Sequence, residues 1–193
     1  MAKSTTPARD EPSGRAAAVE ALFALFRAGG YDGVSIGEIA AATGLGRSSL
    51  YHYFPGGKEE MAQAVVAYAR EAIERLVLAP LARPGVPARR LTAMVDGAAT
   101  LYQGRACVLA SLLSGAPPQS PLGRALADAF LAWRDATARV VRELGVSDAA
   151  ARERASAAIG AMQGGLVLAR ALNDPREADR AFARAKAILT ASA

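Results

Sequence analysis

Residues 34–54 read VSIGEIAAATGLGRSSLYHYF, and the punctuation of this stretch sets the architecture of the N-terminal part of the chain. Ser35 has the chemistry of a helix N-cap. Glu38 follows three positions later to complete a capping box, and Val34 with Ile39 are spaced for a hydrophobic staple across the same start. The spacing predicts a short helix over 36–42. Gly44 can supply the positive φ that stops it, and Leu45 can plug the turn. A second short helix is predicted over 46–54, before Pro55, Gly56 and Gly57 break the chain.

Working outward, residues 1–12 read as a flexible tail, and a helix is predicted from Ser13. Val19, Leu22, Phe23 and Phe26 fall on one face of that helix, which Gly29 and Gly30 end. Downstream, a long helix is predicted over 58–79, with Arg83, Pro84, Gly85, Val86 and Pro87 as a hinge after it. Further helices are predicted over 88–103, 105–114, 121–144, 148–172 and 175–190. Pro117, Pro118 and Pro121, then Gly145, then Asn173, Asp174 and Pro175 separate them. No strand alternation and no fixed-period repeat is visible. A hydrophobic content of 52% with only 6% aromatics fits closely packed helices better than a β-sandwich. The expectation is an all-α chain of about nine helices: a three-helix N-terminal domain at 13–57 and a helical C-terminal domain at 58–193.

Cys107 is the only cysteine and His52 the only histidine, which excludes an intrachain disulfide framework and the multi-cysteine zinc patterns. No apolar run reaches the roughly 18–20 residues of a membrane span, and the N-terminus is polar, unlike a signal peptide. A soluble, cytoplasmic protein without membrane contact, cofactor or metal is expected. The net charge of +5 invites a nucleic-acid reading, but residues 1–60 hold six basic against seven acidic side chains. The basic excess lies elsewhere, so it is no argument for DNA binding by this segment.

Two short helices joined by a glycine-containing turn can present the second helix to the major groove of DNA. Ile39, Leu45, Leu50 and Phe54 can face inward onto Phe23 and Phe26, leaving the opposite side of the second helix free. Arg47 and Tyr51, four apart, share a face. Ser48 and Ser49 are small enough to let the backbone approach base edges, and His52 follows Tyr51. Arginine can chelate guanine O6 and N7, serine can bond bases or phosphates, and a tyrosine hydroxyl reaches phosphate oxygens. Lys58, at the start of the next helix, can join the positive helix end in meeting a phosphate. His52 has no cysteine, second histidine or carboxylate pair beside it that would make it a metal ligand or catalyst, so no catalytic residue is assigned.

In the C-terminal part, Trp133, Tyr102, Met162 and Gln163 could meet a ligand across a cavity between helices, or simply pack the core. Cys107 is either a small buried hydrophobe or a thiol activated by the neighbouring Arg105. The segment holding Gly160, Gly164 and Gly165 suits a close helix crossing or a pocket, because each glycine costs a helix on the order of 1 kcal/mol.

The stretch GYDGVSIGEIAAATGLGRSSLYHYFPGGKEEM resembles the TetR family of repressors, with the likeness covering about residues 14–79. The capped helix, the Gly44 turn, Leu50, Tyr51, Phe54 and the following Lys58 carry it. From Ala106 through Trp133 to Ala171 the chain resembles, by layout, the LmrA/YxaF-like subgroup of drug- and flavonoid-responsive repressors. The resemblance implies that Arg47, Ser48, Ser49 and His52 face bases or nearby phosphates while Tyr51, Tyr53 and Lys58 hold the backbone. It also implies a homodimer through the last two helices (about 148–172 and 175–190), a pseudo-palindromic double-stranded operator, and an unknown hydrophobic or aromatic effector that releases it. Two departures stand out. Position 46 is Gly where the family commonly has Ser or Thr, and an extra Gly sits in the turn before Lys58. The rival expectations are a DNA-binding dimer with no physiological ligand, and a small helical enzyme, for which no nucleophile-base pair or phosphate-cradling glycine motif is present.

Overall fold

The computed structural model describes residues 11–191. Among these residues there are nine helices and no strand. They are α1 (Glu11–Gly29), α2 (Ile36–Thr43), α3 (Arg47–Tyr53), a long α4, α5 (Pro87–Tyr102), α6 (Val108–Leu113), α7 (Pro121–Arg142), α8 (Asp148–Ala171) and α9 (Arg176–Thr190). Helix α4 comprises Gly57–Ile73, a π-helical stretch Glu74–Leu78 and a final turn Ala79–Ala82. No helix among the described residues is long and apolar enough to cross a membrane.

Several boundaries differ from expectation by one to three residues, and three of them are instructive. The tail expected at 1–12 lies outside the described residues up to position 10, while 11 and 12 already belong to α1. Helix α6 begins at Val108 and not at 105, because left-handed Gln103 (φ 47°) and Gly104 (φ 69°) end α5 and Cys107, still extended at ψ 120°, is the N-cap of the next helix. Helix α4 outlasts its expected end at 79. Pro80 has no N–H for the Leu76 carbonyl four residues back, and the chain widens there into a π turn in which the Ala79 N–H bonds the Glu74 carbonyl. The helix therefore bends its bonding pattern instead of stopping. Gly97 of α5 lies against that spot, where a Cβ would come within 1.7 Å of the Leu76 carbonyl oxygen. Only glycine lets α5 approach so closely.

One continuous apolar core runs through the molecule. At the N-terminal end Leu22 and Phe26 of α1 meet Ile39, Leu50 and Phe54 with no exposure at any of the five. Met61, Val65 and Val77 of α4 carry the core onward to Met94, Leu109 and Trp133. Helix α1 packs on α4 and α6, and α8 lies along α9 on one side and α7 on the other. Arg90 ties the far end of α4 to the end of α7, donating to the Leu81 carbonyl at 3.0 Å and pairing with Glu143 at 2.6 Å.

Candidate nucleic-acid interface and effector cavities

The capping box forms as its residue types require. The Ser35 N–H donates to Glu38 Oε2 at 2.8 Å and the Glu38 N–H donates to Ser35 Oγ at 3.2 Å. These bonds, the backbone one foremost, hold the Glu38 carboxyl below its ordinary range, with Lys58 adding a smaller attraction and desolvation opposing them. Gly44 ends α2 at φ 67°. Thr43 locks the turn, its hydroxyl donating to the Ile39 carbonyl at 2.8 Å and accepting from the Leu45 N–H at 3.3 Å. Sequence reasoning passed over Thr43, although a hydroxyl in the last turn before a glycine is the signal that could have found it. Gly46 caps α3 with no side-chain bond.

With Leu50 and Phe54 buried, α3 turns Arg47, Ser48, Ser49, Tyr51 and His52 outward, all exposed. Tyr53 is only half-buried, and its hydroxyl closes on the start of α1, where a Cβ at Gly14 would be 2.8 Å from it. It braces α3 against α1. Arg15 of α1 sits over the Phe54 ring at 4.9 Å. Lys58 is half-buried with its ammonium 4.7 Å from the centre of the Tyr31 ring, a cation–π contact. At the helix start beside it Glu60 Oε2 accepts from the Gly56 N–H at 2.7 Å, while Glu59 Oε1 turns to the start of α7 and accepts from the Leu122 N–H at 3.3 Å.

Of the residues considered for a ligand, three come together and two do not. Cys107 Sγ donates to the Tyr102 hydroxyl at 3.5 Å. Burial above all, then Cys107, pushes the Tyr102 hydroxyl well above its ordinary pKa, so it stays protonated. Gln163 approaches the same hydroxyl and pulls weakly the other way, yet its buried Nε2 completes no hydrogen bond among the described residues. Trp133 and Met162 are core residues at 1% and 0% exposure. The Trp133 indole donates to Met94 Sδ at 3.4 Å, and neither residue lines the two cavities that flank Cys107.

The smaller cavity, about 160 Å³, lies between α1, α4 and the end of α5, with Phe23, Arg27, Tyr68, Tyr102 and Cys107 in its wall. Phe23, expected to be core, is half-buried and meets Tyr68 edge-on at 5.4 Å between ring centres. Burial and then the charge of Arg105 lower the Arg27 pKa. The larger cavity, about 440 Å³, lies between α6 and α8 and is walled by Cys107, Ser111, Gln163, Leu166 and Arg170 among others. Arg27, Ser111 and Arg170 carried no signal in the sequence, since each reads there as an ordinary polar helix residue. Among the described residues no group of His, Cys, Asp and Glu is arranged to hold a metal ion.

A capped helix, a left-handed glycine turn and a second helix with a buried base and a polar exposed face define a DNA-binding transcriptional regulator of the helix-turn-helix class. Residues 18–65 match the family model of bacterial regulatory proteins, tetR family. Residues 87–184, just over half of the chain, match that of the C-terminal domain of LmrA/YxaF-like transcriptional regulators. The chain belongs to the TetR family of transcriptional regulators and carries an LmrA/YxaF-like C-terminal domain. It is 26% identical over 149 residues to the uncharacterized HTH-type transcriptional regulator YxaF of Bacillus subtilis, covering 75% of this chain and 78% of that one. It is likewise 26% identical over 154 residues to the HTH-type transcriptional regulator LmrA of the same organism, covering 75% and 79%. The crystal structure of a TetR-family transcriptional regulator from Streptomyces coelicolor superposes with a TM-score of 0.79 at 20% identity, over 92% of this chain and 95% of that one. A likeness at that identity speaks for the fold.

Proposed function

We propose that this regulator is a repressor that binds a pseudo-palindromic operator as a homodimer and leaves it when a small hydrophobic or aromatic effector binds. The reading head is residues 13–57, and residues 58–193 form the effector-binding and dimerisation body. The observation that carries the reading is α3, whose exposed Arg47, Ser48, Ser49, Tyr51 and His52 stand on the buried Leu50 and Phe54. Arg47 reads a guanine, Ser48, Ser49 and His52 contact bases or adjacent phosphates, and Tyr51, Tyr53 and Lys58 fix the backbone. Lys58 takes up its phosphate only by leaving the Tyr31 ring. On this reading the protein catalyses nothing and acts in the cytoplasm, blocking RNA polymerase at the operator.

The dimer forms through α8 and α9. Support comes from the outer face of α8, where Gly160 and Gly164 meet none of the described residues and Val167, Leu168 and Leu172 are 64%, 49% and 63% exposed. A second copy packed there would bury these side chains and set two α3 helices about one DNA turn apart, roughly 34–36 Å, or a multiple. Two cavities around Cys107 favour an effector over a ligand-free dimer, with Tyr102, Cys107 and Gln163 at the contact. Trp133 and Met162 then act from behind the wall. An effector that fits only one conformer shifts the spacing of the two heads and so releases DNA.

Selection of genomic fragments with the purified protein tests this. The expected product is one pseudo-palindromic motif bound by a dimer. Fragments with no shared motif would contradict the assignment, and genes beside the motif point to the effector.

A further inference from the structure

The C-terminal end of α1 is held by two side chains that also line the larger cavity. Ser111 Oγ donates to the Arg27 carbonyl at 3.1 Å, and Arg170 Nη2 donates to the Ala28 carbonyl at 2.9 Å. Both face the space of about 440 Å³ between α6 and α8. The carbonyls at a helix end carry partial negative charge, so Arg170 serves α1 both as donor and as cation. Helix α1 in turn supplies Leu22 and Phe26 to the core beneath α3. The same helix thus joins the cavity wall to the core under α3.

The cavity asks for a particular ligand. Among the described residues Arg170 is the only charged one in its wall, and the rest is mostly apolar, including Cys107, Ala110, Leu166 and Val167. Gln163 faces the same space, and its buried Nε2, although near the Tyr102 hydroxyl, completes no hydrogen bond among the described residues. A buried donor left unpaired is costly, so an acceptor brought to it by a ligand is rewarded. Gln163 and Arg170 are two turns apart on α8, a separation of about 10 Å along the helix. One cation and one neutral donor thus stand at opposite ends of an apolar trough.

We propose that this cavity binds an elongated apolar acid, its carboxylate on Arg170 and a hydroxyl or carbonyl oxygen at its far end on Gln163 Nε2. A carboxylate accepts two parallel bonds from a guanidinium and is a stronger acceptor than a peptide carbonyl. The bound acid therefore draws Arg170 away from Ala28 and loosens the end of α1. Val167 belongs both to this wall and to the face proposed to meet a second copy, so the ligand lies beside the dimer contact. The consequence for DNA rests on the repressor reading above, whereas the binding itself does not.

Calorimetry with the full-length protein and three acids of increasing length, 4-hydroxybenzoate, 6-hydroxy-2-naphthoate and 4'-hydroxybiphenyl-4-carboxylate, tests the site, each acid beside its primary amide. At least one acid is expected to bind ten-fold or more tightly than its amide. That preference is expected to vanish in Arg170→Gln and to return partly in Arg170→Lys, while Gln163→Leu removes the benefit of the distal hydroxyl. Arg170→Gln is also expected to bind operator more weakly without ligand and to be indifferent to the acid. Acids that bind no better than their amides, no binding across the series, or full-strength binding to Arg170→Gln would overturn the proposal. A protein that binds the acid but no operator refutes the repressor reading alone. One that binds operator but none of the acids refutes this site alone.

Discussion

At the scale of single residues, Arg47 and Tyr51 share the exposed face of α3 but are assigned different partners, and substitution separates the two. Arg47→Ala is expected to weaken operator binding by about 1–3 kcal/mol and to relax preference at one base pair of each half-site. Tyr51→Phe is expected to weaken all sequences about equally, because a phosphate contact carries no base information. Fluorescence anisotropy against a set of single-base operator variants measures both, and a sequence-selective loss in Tyr51→Phe would reverse its assignment. The exposure of this face was legible because Leu50 and Phe54 are four apart and mark the buried side. The rest of Lys58 on Tyr31 was not, since Tyr31 lies in the loop between α1 and α2 and a cation–π pair leaves no periodic trace.

At the scale of helices, the start of α2 makes stability depend on pH with a definite sign. The Glu38 carboxyl titrates lower in the folded chain than in the unfolded one, so its contribution is present above the ordinary carboxylate range. It is lost as pH falls through the lowered value. Glu38→Gln keeps a group that can still accept from Ser35 but does not titrate. Urea unfolding at neutral and acidic pH is expected to show a smaller loss for this variant than for the natural chain, and equal losses would detach Glu38 from the effect. In the crossing of α8 on α9, a Cβ at Gly165 would lie 2.1 Å from the Ala181 Cβ. Gly165→Ala therefore forces the two helices apart, at a cost of about 1–3 kcal/mol in the same measurement. An unchanged midpoint would show that the pair can shift freely. The three neighbouring glycines read alike in the sequence. Only the crossing assigned Gly165 to the inside and Gly160 and Gly164 to the outside.

At the scale of the whole molecule, the exposed stripe on α8 is the proposed contact with a second copy. Leu168→Glu places a charge on a side chain that is 49% exposed in the single protomer, so the fold has little reason to suffer. It is expected to give a monomer in sedimentation with unchanged helical content and to lose most operator affinity, since one head then holds one half-site alone. A variant that stays dimeric would move the interface elsewhere.

What the sequence determined by itself is whatever hydrogen bonding and periodicity settle within a few residues. The capping box at Ser35 and Glu38, the left-handed Gly44, the buried side of α3 and the proline and glycine breaks are all of this kind. Tertiary structure alone decided which distant groups share a space. Ser111 reaches Arg27 across 84 positions and Arg170 reaches Ala28 across 142, and those two bonds place the larger cavity against the end of α1. The physical reason is that a local bond depends on a few dihedral angles that the residues themselves prefer, whereas a bond between remote helices depends on the crossing that all their packed side chains fix together.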